Sequence, residues 1–331
     1  METKPPPIIV LAGPTASGKT DAGIALARLL DAEIISADSR QVYRRLDIGT
    51  AKPDVAQRRA VPHHGIDVCD PSETYTAGRF FREAADWIAD IQHRGRRVLV
   101  VGGSGLYLRA ITDGIFDGPE ADPALRARLE ERIRNEGLES LVSDLTRHDP
   151  DTAARIDRRN PVRVIRALEV CLLTGRPYSV LRRERMPQVI QDTRMFGLRR
   201  ERAALNARIN RRVDDMIASG LVEEVTSLLA GGADPGWTSL QAVGYPEIIR
   251  YLAASTSLAD SIDAIKRSTR QYARRQMTWF RKEARLRWID AHDRMDADDI
   301  AAEILRRLDA PREEGNAGAR PTSDAAAHHD T

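Results

Sequence analysis

One short run near the N-terminus constrains this chain more than any other. Gly13, Pro14, Thr15, Ala16, Ser17, Gly18, Lys19 and Thr20 spell the pattern G-x-x-x-x-G-K-[ST]. The apolar run Ile8 to Leu11 precedes it, as expected of a strand buried on both faces. Ala22, Ala25, Leu26, Leu29 and Leu30 follow at helical spacing. A strand, this loop and a helix together form a phosphate cradle. Backbone N–H groups converge on one anion, and the helix N-terminus adds its partial positive charge. Lys19 supplies a full charge, and the Thr20 hydroxyl is the predicted ligand for Mg²⁺. The loop names neither the polyphosphate nor the bond that breaks.

The following segments repeat the alternation. Glu33 to Asp38 reads as a second strand, and Phe80, Ala84, Trp87, Ile88 and Ile91 as a helical stripe ended by Gly95. Val98 to Val101 reads as a third strand running into Gly102 and Gly103. This pattern predicts an α/β fold: a P-loop-type parallel sheet core with helices on both faces. After Pro119 the period is helical only. Leu125, Leu129 and Ile133 mark one helix, and Leu138, Leu141 and Leu145 another. Asn160 and Pro161 start a third, with the stripe Val164, Leu168 and Leu172, and Gly175 stops it. The expected division is core (1–118), an all-helical insertion (119–190), a second core part with basic helices (191–310) and a disordered tail (311–331). In the second core part a strand is expected within Val189 to Leu198, two or more long helices over Arg202 to Leu229 and Leu258 to about Arg285, and a last strand at Trp288 and Ile289.

Composition excludes several classes. The 331 residues are 42% hydrophobic and 30% charged, enough for a sizeable core. No run approaches the roughly 20 apolar residues of a membrane helix, and the N-terminus lacks a signal-peptide pattern. Two cysteines, Cys69 and Cys171, cannot form a disulfide framework or a four-ligand zinc site, which fits a reducing cytoplasm. The net charge is only +2, so affinity for a polyanion must come from local clusters. One runs from Lys266 to Arg287 with Glu283 as its only acid, including Arg267, Arg270, Arg274, Arg275, Arg281 and Arg285. The insertion carries another, including Arg126, Arg128, Arg158, Arg159, Arg163, Arg166, Arg182, Arg183 and Arg185. A one-sided basic stripe is either an electrostatic footprint for a phosphate backbone or a solvated face.

At the carboxyl edge of the predicted sheet, Asp38 is a Mg²⁺ ligand, a general base or a turn cap. Gly102, Gly103, Ser104 and Gly105 allow close approach of a substrate or make a tight turn. His63 and His64 point to opposite sides of an extended chain, which favours a structural role over a metal site.

The ordered set of motifs is more specific. The cradle, Ile35 to Tyr43 (I-S-A-D-S-R-Q-V-Y), Asp47 to Pro53 (D-I-G-T-A-K-P), Pro62-His63-His64 and Gly102 to Tyr107 resemble the bacterial tRNA dimethylallyltransferases. So do Arg163-x-x-Arg166-Ala-Leu-Glu169, Thr174-Gly175, Gly244-Tyr245 and Arg275-Gln276-x-Thr278-Trp279-Phe280-Arg281. Ser104 stands where that family usually has Thr. The resemblance implies transfer of a dimethylallyl group from dimethylallyl diphosphate to N6 of the adenosine 3′ of the anticodon, in tRNAs reading codons that start with U. It implies Mg²⁺, a tRNA anticodon stem-loop partner and a monomer. Asp38 becomes the general base, Lys19 and Ser104 its catalytic companions, and Arg208 or Arg212 the arginine that closes over the diphosphate. The RNA path implied runs along Asp38, Ser39, Arg40, Gln41 and Ser104, with Arg126 and the stretch Val162, Arg163, Val164, Ile165 and Arg166. It continues through Gln241, Gly244, Tyr245, Arg274, Arg275, Gln276 and Arg281. Competing readings are an adenylate prenyltransferase of the cytokinin type, a small-molecule P-loop kinase and a non-catalytic RNA-binding NTP switch.

Overall fold

Ile8–Ala12 is a strand, β1, because it sits between two helical layers and every residue in it is buried. Ile8, Val10 and Ala12 belong to one apolar core, and Ile9 and Leu11 to the core on the opposite face. The computed structural model describes residues 6–116, 118–184 and 186–308; the expected tail at 311–331 and Arg185 lie outside the described residues.

The cradle opens into α1 (Lys19–Leu30), followed by β2 (Ala32–Ala37), α2 (Val55–Ala60), β3 (His63–His64), α3 (Ala77–His93), β4 (Arg97–Gly102) and α4 (Gly105–Asp113). Five helices come next: α5 (Pro123–Glu136), α6 (Leu138–His148), α7 (Pro150–Arg155), α8 (Pro161–Thr174) and α9 (Tyr178–Leu181). The chain then returns as β5 (Thr193–Arg199), α10 (Arg202–Ala218), α11 (Leu221–Ala230), α12 (Tyr245–Leu252), α13 (Leu258–Phe280), β6 (Arg287–Asp290) and α14 (Ala297–Leu308). The strands form one sheet in the order β3-β2-β4-β1-β5-β6, with every pairing parallel. β1 lies between β4 and β5, so the chain passes to one side of β1 first and to the other later. This reversal opens a crevice at the carboxyl ends of the strands, where α/β sheets bind ligands.

α1 and α14 cover one face through Leu26, Ile300 and Ile304. α3, α4 and α11 to α13 cover the other, with Phe80, Leu108, Val225, Ile248 and Ile265 buried. Helices α5 to α8 pack around their own apolar cluster, which includes Leu129, Leu141, Leu145, Val164 and Leu168. The start of α8 is the expected one: the Asn160 side chain accepts from the Arg163 N–H at 3.2 Å, Pro161 follows, and Gly175 ends the helix at φ 66°.

Two expected helices differ. The stretch from Arg202 to Leu229 is two helices, separated at Ser219 and Gly220, because Gly220 takes φ 99°. The long basic helix stops at Phe280 rather than Arg285, and Glu283 and Arg285 lie in the turn that leads to β6. Among the described residues no helix is long and apolar enough to cross a membrane.

Candidate active site

The crevice brings the cradle and the end of β2 together. Lys19, Thr20, Asp38, Gln41, Pro53 and His63 share one pocket. Burial pushes the Lys19 ammonium down to about 8, against the pull of Asp38 and with the help of nearby Arg212. Its Nζ donates to the Pro14 carbonyl at 3.3 Å. Asp38 uses one carboxylate oxygen, Oδ1, to accept the backbone N–H groups of Arg40 at 2.9 Å and Gln41 at 3.4 Å. Asp38 therefore caps this turn. Oδ2 takes part in neither bond.

The loop is held from outside. Arg208 Nε donates to the Ala16 carbonyl at 2.9 Å, and Arg200 Nε donates to the Ser17 carbonyl at 2.8 Å. From α13, Gln276 Oε1 accepts the Thr15 N–H at 2.9 Å while its Nε2 donates to the Gly103 carbonyl at 3.0 Å. The glycines after β4 are explained by these contacts. A Cβ on Gly103 would lie 2.4 Å from Gln276 Nε2, and one on Gly105 would lie 2.2 Å from the Trp279 ring. Space there is taken by α13, so the glycines make tight packing and not room for a substrate. The Ser104 side chain makes no cap bond at the start of α4.

Several residues expected along the RNA path face inward. Gln276 is 7% exposed and braces the cradle. Gln41 reaches Thr50 and Ala51 carbonyls at 3.3 and 3.1 Å and accepts from Ser36 Oγ, which ties the Asp38 turn to the next loop. Tyr245 is buried with its hydroxyl on Glu224 at 2.8 Å, and the Gly244 N–H is used by Glu247. Val164 and Ile165 are buried in the helical insert. Arg126 and Arg166 both pair with the fully buried carboxylate of Glu169, at 2.8 and 2.7 Å, and Arg166 also donates to the Pro119 carbonyl. The same Glu169 also accepts the Asp122 N–H at 3.0 Å, so one buried carboxylate ties the start of α5 to α8. Arg270 donates to Asn210, Lys266 pairs with Asp214, and Arg285 pairs with Glu283 and Asp113.

Other expected residues do face solvent. Val162 is 74% exposed, Arg163, Gln241, Arg274, Arg275 and Arg281 are exposed, and Ser39 is half-buried. Arg40 is half-buried and donates to the Thr238 carbonyl at 2.7 Å. Two residues near the site were not anticipated. Tyr272, one helical turn before Gln276, has a hydroxyl pushed up to about 12 by burial and by Asp38, and the Arg275 guanidinium lies 5.8 Å from its ring centre. The other is Arg200. The signals for them were the i, i+4 spacing with Gln276 and the position directly after a strand that neighbours β1.

The donor set fits Mg²⁺ only as part of a larger coordination shell. Thr20 and Asp38 offer hard oxygens, and among the described residues no group of three His, Cys, Asp or Glu is arranged to hold a metal alone. His63 Nδ1 bonds to the Val61 carbonyl at 2.7 Å and His64 Nε2 to Glu33 at 2.8 Å, so each histidine is ordered by the fold.

A family model described as IPP transferase matches residues 41–283, and one described as isopentenyl transferase matches residues 6–61. This chain belongs to the IPP transferase family. It is 49% identical to tRNA dimethylallyltransferase 1 of Citrifermentans bemidjiense over 86% of its own length and 92% of that protein. Among solved structures it resembles the tRNA isopentenylpyrophosphate transferase of Bacillus halodurans, at 41% identity and a TM-score of 0.67, covering 91% of this chain and 95% of that one. A eukaryotic dimethylallyltransferase acting on tRNA gives a TM-score of 0.75 at 29% identity, over 90% of this chain and 77% of the other.

Proposed function

We propose that this protein moves a dimethylallyl group from dimethylallyl diphosphate to N6 of the adenosine 3′ of the anticodon, in tRNAs reading codons that begin with U. It is a transferase that prenylates tRNA. The observation that supports the chemistry best is the single pocket shared by Lys19, Thr20 and Asp38 at the carboxyl edge of the sheet. It joins a grip for a leaving diphosphate to a carboxylate able to take a proton.

The amine lone pair of adenine is delocalised into the ring, so N6 must be oriented and deprotonated as it reacts. In the proposed step the N6–carbon bond forms while the carbon–oxygen bond to the diphosphate breaks. The electron pair leaves with the diphosphate, and the N6 proton goes to Asp38. Lys19, Arg212 and the loop amides stabilise the departing charge. Arg208 holds the loop through Nε on the Ala16 carbonyl, and in this reading Arg212, near enough to Lys19 to lower its proton affinity, closes over the diphosphate. In this reading the Ser104 hydroxyl contacts either the diphosphate or the base. When bound, Mg²⁺ neutralises charge on the diphosphate oxygens, and Thr20 is its protein ligand. The adenosine leaves its stack to reach Asp38, at a cost of a few kcal/mol. Arg163 on the insert and Arg274, Arg275 and Arg281 at the end of α13 hold the phosphate backbone around it. We propose residues 119–190 as the unit that grips the anticodon stem, and the protein as a monomer.

The test is incubation with labelled dimethylallyl diphosphate and tRNA lacking N6-prenyl adenosine. Label on the tRNA with release of diphosphate is the expected result. Phosphate transfer from labelled ATP with no prenyl transfer would establish the kinase reading instead. The RNA surface has its own test. Arg163→Glu combined with Arg274→Glu is expected to raise KM for tRNA at least tenfold, and to reduce the salt dependence of RNA binding by about one unit of slope per arginine. KM for the diphosphate should stay within twofold, and equal losses for both substrates would refute a dedicated RNA contact. Arg166 is unsuitable here, since its loss strips a partner from buried Glu169.

A further inference from the structure

Arg200 lies outside the pocket and belongs to no motif of the family resemblance. Its side chain is 3% exposed. Nε donates to the Ser17 carbonyl at 2.8 Å, and Nη1 donates to the carbonyls of Ala291 and His292, both at 3.2 Å. Asp293 balances its charge at 3.6 Å. One planar group therefore clips the cradle to the turn that follows β6. The peptide plane gives this contact its meaning. A carbonyl and the N–H of the next residue point to opposite sides of one rigid unit. Pinning the Ser17 carbonyl outward aims the Gly18 N–H inward, toward the anion. Arg208 pins the Ala16 carbonyl one peptide earlier, where the Ser17 N–H turns to the Pro14 carbonyl at 3.3 Å instead. Gly18 makes the loop soft at this point, with φ at 94°, so its peptide needs an external restraint to hold one orientation.

We infer that Arg200 is a positioning residue for the diphosphate cradle: it fixes the Ser17–Gly18 peptide with its N–H toward the anion and makes that geometry depend on the turn at 291–293. This rests on the reading of the loop as a diphosphate site. An amide already aimed at the anion needs no reorganisation on binding, which is the advantage of a preorganised site.

The experiment compares wild type, Arg200→Met and Arg200→Lys for binding of inorganic pyrophosphate with Mg²⁺ and, separately, of an anticodon stem-loop RNA. Thermal unfolding is recorded in parallel, and binding is measured well below the lowest midpoint. Arg200→Met is expected to weaken pyrophosphate about tenfold and leave RNA affinity within twofold. Arg200→Lys keeps the charge but not the planar two-ended clip, so it should recover only part of the loss. Prenyl transfer should show a raised KM for dimethylallyl diphosphate with KM for tRNA unchanged. If Arg200→Met does not fold, the Lys variant alone decides: a threefold or greater loss in pyrophosphate affinity supports the role, and wild-type affinity overturns it. Pyrophosphate affinity within twofold of wild type in Arg200→Met, full recovery by Lys, or parallel loss of pyrophosphate and RNA binding each overturn it as well. Failure of the wild-type protein to bind pyrophosphate would instead remove the functional reading on which the inference stands.

Discussion

Asp38→Asn is expected to lower kcat for prenyl transfer by about a hundredfold to ten-thousandfold, the usual contribution of a positioned general base. RNA and diphosphate affinities should stay within about threefold. The substitution suits the site because Asn keeps an oxygen at the position that accepts the Arg40 and Gln41 N–H groups. The turn at the end of β2 is then preserved while the group facing the pocket becomes an amide that cannot take a proton. One control is dictated by the electrostatics. Asp38 raises the proton affinity of Lys19, so the variant should be assayed across a pH range extending below neutral, to separate loss of the base from loss of the Lys19 charge. Single-turnover rates with saturating tRNA separate the chemical step from binding. A variant that turned over at a near-normal rate would remove Asp38 as the base and return it to the role of turn cap.

The elements that carry this chemistry were readable where burial was complete or caps were explicit. β1 and the Val98–Val101 stretch of β4 are apolar on both faces, so their sequences are continuous runs; β2 is buried throughout although it carries Glu33 and Ser36. The start of α8 is written in Asn160 and Pro161 and its end in Gly175. The break at Gly220 was hidden because apolar spacing continues across it from Val213 to Leu221, Val225 and Leu228. Only the backbone angle reveals the turn. Side-chain direction was harder to read than position. Gln276 stands amid Arg274, Arg275 and Arg281 and reads as part of a basic surface, yet it shares a face with Ala273 and Phe280 and points into the crevice. Arg126 and Arg166 read as free charges because their common partner, Glu169, meets Arg126 only after α5 and α8 have packed together. Net charge counted along a sequence cannot register a pairing that the tertiary fold creates. Arg163, on the same helix as Arg166 but on its exposed side, keeps the surface role that Arg166 loses.

Lys19→Met is expected to reduce kcat/KM for dimethylallyl diphosphate by about a hundredfold to a thousandfold, the scale of removing one donor from a preorganised anion site. The same residue is expected to set the alkaline limit of the wild-type enzyme. In the free protein Lys19 titrates near 8, mainly because burial disfavours its charge. Diphosphate binds the protonated form, and the bound anion raises the proton affinity of that ammonium. Above pH 8 each binding event must therefore take up a proton. The affinity for diphosphate is then full below that pH and falls toward tenfold per unit above it, and kcat/KM should bend downward near 8. Lys19→Arg is the discriminating variant. Guanidinium keeps its proton throughout this range, so the bend should vanish even though the longer, planar group fits the cradle poorly and lowers the overall rate. Profiles from pH 6.5 to 9.5, taken with pyrophosphate inhibition alongside turnover, separate the two effects. A wild-type profile flat through this range, or a bend that persisted unchanged in Lys19→Arg, would place the titrating group elsewhere and leave the cradle's lysine as a fixed charge.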